Sequence, residues 1–515
     1  MPPVVETTTG KVEGFEKDGL SVFLGIPFAA PPVGDCRWLP PRPVEPWTGV
    51  KETMSFVATA PQIIAPINPA SPLQVSPRVD TSLGEQPPID EDCLQLNIWT
   101  PGTDSAHRPV MVWIHGGGFT GGTGASARSN GGVLAGRGDV VVVTINYRVN
   151  VFGFLRLKEV TGGRIPSTGN EGMLDQVAAL EWVRDNIEAF GGDPANVTIF
   201  GLSAGGGSVS ALLGMKSAKG LFHRAISQSG SAHFLVDRDE ANLYAEYFLH
   251  VLGAEGSDVS KLRGLTMKQV LGTYAKSLPV PRGIRGPMVV VDDEIFHELP
   301  VDSIKAGSAD GIPLIAGTTA DEWRLWQAMD PAIQELVEGR MFGRFRRMMP
   351  DWDMTDTVKA YQEVLARRGV STTPSEVYLA IMTARMFWIP TTRMLEAQER
   401  RGNPAYSYIV NWKSPFMDGI FGAFHGIDSG FLWDTYYPEM VGDDPAAETL
   451  SRNIQDAWIT FARNGNPGSE GLGKWPVYGQ RRETMMLGRQ PGVQEAPFEE
   501  ERRIWDSAPD NIFKW

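Results

Sequence analysis

Ser203 stands in Gly201-Leu202-Ser203-Ala204-Gly205, a G-x-S-x-G pattern. The bare spacing arises by chance in a chain this rich in glycine, so its neighbours decide its meaning. The apolar run Val197-Thr198-Ile199-Phe200 precedes it, and a small-residue stretch leads into Ser210-Ala211-Leu212-Leu213. Strand, sharp turn and helix together lift a serine hydroxyl clear of a sheet and set it near a helix N-terminus, as an acyl-transfer nucleophile requires. A second glycine cluster, His115-Gly116-Gly117-Gly118-Phe119, follows the apolar run ending at Ile114. Its glycines let backbone N–H groups face a developing negative oxygen, where one such donor contributes about 3–4 kcal/mol. Phosphate-loop spacings, G-x-G-x-x-G or GK[ST], do not accompany it. Gly117 and Gly118, with Ala204 after the nucleophile, are the candidate donors.

A serine needs a base, and histidine is the usual one near neutral pH. In the α/β-hydrolases, whose strand–turn–helix elbow this stretch resembles, the partners follow in the order acid, then histidine. Of seven histidines only His425 lies in the last third, in Gly422-Ala423-Phe424-His425-Gly426 after the expected strand Tyr406–Trp412. Position alone leaves a structural role open for it. His115 precedes the nucleophile and reads as structural, at the mouth of the glycine loop. For the acid, Ile312–Ala316 leads into Gly317-Thr318-Thr319-Ala320-Asp321-Glu322-Trp323, and two adjacent carboxylates compete. Residue chemistry does not choose between Asp321 and Glu322.

The elements that must position these groups are legible as hydrophobic patterns. Val110–Ile114, Val140–Ile145, Val197–Leu202 and Ile312–Ala316 are unbroken apolar strands, suited to a mostly parallel sheet covered on both faces. Val177, Leu180, Val183, Ile187 and Phe190 recur at helical spacing, and Gly191-Gly192-Asp193-Pro194 ends that helix. Strands alternating with helices imply a doubly wound α/β fold. Short strands and prolines occupy the N-terminal stretch, and residues 56–88 read as a long loop placed to cover something. Residues 325–400 read as a helical insertion or cap. The 515-residue length suggests roughly three domains, yet the motifs are spread along the chain and need one another, so 1–515 is expected to be one enlarged body.

Composition narrows the partners. Lys and Arg number 47 against 61 Asp and Glu, a net charge of −14, so nucleic acid and anionic lipid are not expected partners. No run approaches 18 apolar residues, no signal peptide is visible, and a cytoplasmic protein is expected. Two cysteines, Cys36 and Cys93, exclude a disulfide-dense scaffold. No Cys/His cluster offers a metal site, and no cofactor is implied.

Taken together, these residues resemble the type-B carboxylesterases, the group that includes bacterial nitrobenzyl esterases, animal carboxylesterases and cholinesterases. The resemblance runs from Gly10-Lys11-Val12 through Gly25-Ile26-Pro27-Phe28-Ala29-Ala30-Pro31-Pro32-Val33-Gly34 to Trp475-Pro476. Glu91-Asp92-Cys93-Leu94-Gln95-Leu96-Asn97-Ile98, Asn146-Tyr147-Arg148, Gln228-Ser229-Gly230 and Phe461-Ala462-Arg463-Asn464-Gly465-Asn466-Pro467 also fit. It implies the α/β-hydrolase fold, with helical insertions over the site. It also implies a Ser203–His425–Glu322 triad with an oxyanion hole at Gly117, Gly118 and Ala204, hydrolysing carboxylic esters of uncharged small molecules through an acyl-enzyme. An amidase, lactonase or acyltransferase would use the same groups. A non-catalytic binding relative would have lost the nucleophile. Oligomeric state, monomer or dimer, stays open.

Three departures stand out. Leu202 replaces the family's glutamate before the nucleophile, making the pocket more apolar, while the glutamate's usual partner aligns with Asp428. Trp323 replaces the glycine after the acid and is expected, with Leu202, to line the pocket. Cys93 keeps its place, but its upstream partner aligns with Ala60, so two free thiols are expected. Trp326, Phe387, Trp388, Phe416, Phe421 and Phe424 are further candidates for an aromatic gorge.

Overall fold

In the computed structural model, which describes residues 2–64, 78, 87–281 and 284–514, the apolar runs become neighbours in an eleven-stranded sheet. In chain order its strands are β1 (Phe15–Lys17), β2 (Leu20–Pro27), β3 (Gln95–Thr100), β4 (Arg108–Ile114), β5 (Val141–Ile145) and β6 (Gly192–Leu202). The remainder are β7 (Arg224–Gln228), β8 (Leu314–Thr319), β9 (Ala405–Val410), β10 (Glu483–Leu487) and β11 (Gly492–Glu495). Their spatial order is β11-β10-β9-β8-β7-β6-β4-β5-β3-β2-β1. The run from β10 to β5 is parallel throughout, and the pairings outside it are antiparallel.

Why the central strands are apolar at every position follows from what covers them. Successive side chains point to opposite faces. Val110, Val112 and Ile114 enter one core with Val177, Leu180 and Val183 of helix α1 (Glu171–Asn186). Met111 and Trp113 enter the other, with residues of a later helix, Ala446–Asn464, among them Ile454, Trp458 and Phe461. With both faces dry, no polar alternation survives, and each fully buried side chain of this kind contributes about 1.5–3 kcal/mol.

Two boundaries differ from expectation. Helix α1 tightens into a 3-10 turn over Ile187–Phe190 and closes at Gly191, φ 77°. Strand β6 then opens at Gly192, opposite Arg108, so the Gly-Asp-Pro stretch is already strand rather than connecting turn. Pro194, which has no N–H, is accommodated near the register shift at that end. Strand β8 starts after Pro313 and runs on to Thr319, because β9 pairs with it to that residue while β7 pairs with it as far as Gly317. Glu322 therefore stands three residues beyond the strand end.

Helix α2 (Ala204–Gly214) follows β6 directly. Residues 324–400 are helical: α3 (Arg324–Met329), a short Pro331–Gln334 turn, α4 (Glu338–Met348), α5 (Met354–Arg367), α6 (Pro374–Thr383) and α7 (Ile389–Arg400). A π-turn over Ala384–Trp388 joins the last two. Helix α8 (Ile427–Leu432) comes just after His425. Most of the long loop expected over 56–88 lies outside the described residues. No helix among the described residues is long and apolar enough to cross a membrane. Cys36 and Cys93 are both unpaired, and burial pushes the Cys93 thiol far up.

Candidate active site

The end of β6 turns into α2 through one residue, Ser203, held at φ 59°, ψ −122°. A non-glycine residue with positive φ is strained, and the strain is held from both sides. Ser203 N–H donates to the Gln228 carbonyl at 2.8 Å, and the Ser203 carbonyl accepts from Gly207 N–H at 2.8 Å. The flanking glycines are steric necessities. A Cβ at Gly205 would lie 2.0 Å from the Ile114 carbonyl, and one at Gly201 would lie 2.6 Å from the same oxygen. Strand β4 thus presses its last carbonyl into the elbow.

The next residues of that chain, 115–118, bend over the elbow. A Cβ at Gly116 would lie 3.2 Å from Ser203 Cβ. Gly117 takes φ 120° and Gly118 φ 62°, and neither N–H donates to an acceptor among the described residues. Ala204 is the first residue of α2, so its N–H has no helical acceptor either. Those three amides thus have no acceptor among the described residues. His115 is buried and stacked on Tyr147, centroids 4.3 Å apart, and Tyr147 Oη donates to its carbonyl at 2.9 Å. Burial lowers its imidazole to about 4, so it is neutral near pH 7 and a weak proton acceptor.

Glu322 is fully buried and doubly held. Oε1 accepts from Ser229 Oγ at 2.6 Å and from Thr319 N–H at 2.8 Å, while Oε2 lies 2.6 Å from His425 Nδ1. That contact fixes the tautomer: with its proton on Nδ1, the imidazole leaves Nε2 free as an acceptor. Asp321 is engaged elsewhere, its Oδ2 accepting from Ala423 N–H at 2.9 Å, and so pins the loop that carries His425. The two adjacent carboxylates divide the work, one holding the ring and the other its backbone. Ser203 Oγ and His425 are not hydrogen-bonded to each other here; such contacts are often long without substrate and tighten once it binds.

Below the elbow lies a buried polar network. Asp428 Oδ2 accepts from Gln228 Nε2 and Tyr408 Oη, each at 3.0 Å, and Gln228 Oε1 accepts from Trp458 Nε1 at 3.3 Å. Burial raises the Asp428 carboxyl, helped by Glu322 and opposed by Gln228, Tyr408 and His425. Gln228 therefore meets the nucleophile through its backbone and the His425 segment through its side chain. Ser229, Thr319, Gln228 and Tyr408 carried no individual signal in the sequence, beyond Gln228-Ser229-Gly230 fitting a family motif.

Leu202 packs beside the turn after His425; a Cβ at Gly426 would lie 3.6 Å from its Cδ2. Trp326 and Phe387 meet the His425 ring, with centroids at 5.1 and 4.9 Å. Trp323 stacks on Trp326 at 4.4 Å and reaches His425 only through these neighbours. Phe416, Phe421 and Phe424 form a chain of ring contacts. Trp388 leaves the group and meets Phe498 instead, at 5.7 Å.

Comparison with known proteins decides the relationship. The Carboxylesterase family matches residues 1–505. The chain belongs to the carboxylesterase family. It is a carboxylic ester hydrolase with the α/β-hydrolase fold. The esterase is 35% identical to the para-nitrobenzyl esterase of Bacillus subtilis (strain 168), covering 97% of this chain and 98% of that one. It is 34% identical to the liver carboxylesterase of Sus scrofa, with 98% and 93% covered. Among solved structures it is similar to a carboxylesterase of Geobacillus stearothermophilus, with TM-score 0.86, 36% identity, and 98% and 100% covered.

Proposed function

We propose that Ser203, His425 and Glu322 perform the hydrolysis through an acyl-enzyme. Ser203 Oγ attacks the ester carbonyl while His425 Nε2 takes its proton, and the same nitrogen returns that proton to the departing alcohol. Glu322 orients the ring and stabilises its cationic form. The amides of Gly117, Gly118 and Ala204 hold the oxyanion, and water repeats the sequence on the acyl-enzyme. The observation that carries this reading is the 2.6 Å contact between Glu322 and His425, with the carboxylate's other oxygen already held by two donors.

The substrate class is an uncharged small ester bearing an aromatic group. Leu202 removes a carboxylate from beside the nucleophile, and Trp326 and Phe387 lie tilted against the histidine ring. The printed name of the para-nitrobenzyl esterase relative fits the same chemistry. We read residues 1–515 as one catalytic body, since the family match and the sheet both span nearly all of it. Two unpaired cysteines suit a reducing, cytoplasmic setting. Replacing Ser203 tests the mechanism: S203A is expected to lower kcat on a short-chain nitrophenyl ester by about 10⁶-fold, with the thermal transition unchanged. Retained turnover would refute it.

A further inference from the structure

The π-turn between α6 and α7 carries two buried residues with different neighbours. Phe387 meets the His425 ring at 4.9 Å. Arg385, only 2% exposed, instead holds a segment far along the chain. Its Nε donates to the Ile512 carbonyl at 2.9 Å and its Nη2 to the Lys514 carbonyl at 2.6 Å, while Nη1 meets Met386 Sδ. Burial, with Arg285 adding to it, lowers the guanidinium to about 9, so it is still charged near pH 7. No carboxylate among the described residues pairs with it. Keeping a charge in such a place is costly. What it supplies that an apolar side chain would not is a pair of directional, charge-assisted hydrogen bonds between distant parts of the chain.

The segment it holds is itself anchored. At the start of the 3-10 turn Asp510–Phe513, Asp510 accepts from Arg393 Nη1 at 2.5 Å and from Lys305 Nζ at 2.6 Å. The same carboxylate lies 3.1 Å from His233 Nε2. Arg393 also stands over the Phe513 ring at 4.3 Å and donates to the Trp505 and Ala508 carbonyls at 3.0 and 2.5 Å. His233 is fully buried and directly precedes Phe234, which meets Phe387 edge-on at 5.8 Å. Phe234 rests in turn on α2, where a Cβ at Gly207 would lie 2.9 Å from its ring.

One segment thus reaches Phe387 from two sides: through Arg385, two residues before it on the π-turn, and through His233 and Phe234. π-Turns inside helices occur frequently at functional sites. We propose that Arg385 is a positioning residue. By tying the π-turn to residues 510–514 it fixes where Phe387 stands beside His425, and so which esters fit there. Its hydrogen bonds reach none of the triad, and the effect on the reaction rests on the triad assigned above.

The test is the ratio of kcat/KM for a bulky aryl ester to that for an acetate ester of a small alcohol, in full-length variants. Phe387→Ala should shift this ratio about tenfold. Arg385→Met should shift it about threefold in the same direction, and Arg385→Lys, which keeps the charge and a donor, should restore most of it. Because Arg385 acts through Phe387, adding R385M to F387A should leave the ratio where F387A alone put it. Asp510→Asn, at a partly exposed position, should shift the ratio about twofold in the same direction, and decides the matter if R385M does not fold. A ratio unchanged in R385M, or in D510N where R385M does not fold, would make Arg385 a structural tie only and overturn the proposal, even with a lowered thermal transition. A full additional shift in the double variant would overturn it too. Turnover retained by S203A would instead refute the triad and leave the coupling of Arg385 to Phe387 standing.

Discussion

The floor of the active site and the helical wall above it are built on opposite principles. On the floor, at the ends of β6, β7 and β8, backbone and polar side chains specify one another. Ser203 is held at positive φ by two backbone hydrogen bonds, and Glu322 is fixed by Ser229 and Thr319. On the wall, Trp326 and Phe387 meet His425 and each other through ring contacts, and Trp323 stacks behind them. The Trp323 indole N–H has no hydrogen-bond partner among the described residues. A polar floor tolerates few alternatives, because an unpaired buried group costs about 1–3 kcal/mol. An aromatic wall is bound only by volume and can drift in evolution. We propose that chemistry resides in the floor and selectivity in the wall.

That contrast can be broken by mutation. The largest effect should follow Glu322→Gln. With the amide oxygen kept toward Ser229 and Thr319, its NH₂ faces His425 Nδ1 and forces the proton onto Nε2, the nitrogen that must accept. Loss of kcat by about 10⁴-fold is expected from the wrong tautomer, measured at saturating nitrophenyl ester. A loss below tenfold would detach Glu322 from the histidine's function.

Next is Asp428→Ala. Asp428 touches neither Ser203 nor His425 by hydrogen bond, but it ties the His425 segment to Gln228, whose carbonyl holds Ser203 N–H. Small misplacements of reacting groups cost on the order of 10²-fold, so kcat should fall by about that factor with KM unchanged. Rescue by Asp428→Asn, which keeps an acceptor for Gln228 and Tyr408, would identify positioning; a rise in KM alone would contradict it.

The smallest effect belongs to the wall. Trp326→Ala should leave kcat/KM for an acetate ester of a small alcohol nearly unchanged. For a bulky aryl ester it should shift by about tenfold, the scale on which apolar pockets discriminate. Equal losses on both esters would place Trp326 in the floor's role and erase the distinction.

The same division governs what was legible in the sequence. Ser203 and the glycine loop could be read because an elbow packed against the Ile114 carbonyl admits only glycine at 201 and 205, and such constraints leave a spaced pattern. The central strands were legible because burial on both faces removes polar alternation. Glu322 against Asp321 was not, since adjacent carboxylates look alike until Ala423 and His425 take one each; only resemblance separated them. Strand β8 was cut short at Ala316 because Gly317-Thr318-Thr319 lacks apolar character, although β9 pairs with it to its end. Trp323 was favoured as pocket lining by adjacency to Glu322, yet Trp326, one helical turn onward, is the ring that meets the histidine. Ring partners are set by packing between distant segments, and no local pattern carries them.

The account turns on Ser203 as the group that becomes acylated. Treating the enzyme with a fluorophosphonate and locating the adduct by peptide mass spectrometry tests this most directly. One adduct per chain is expected on the peptide containing Ser203, absent from S203A and formed far more slowly in E322Q. An adduct on another residue, or undiminished labelling of S203A, would contradict it.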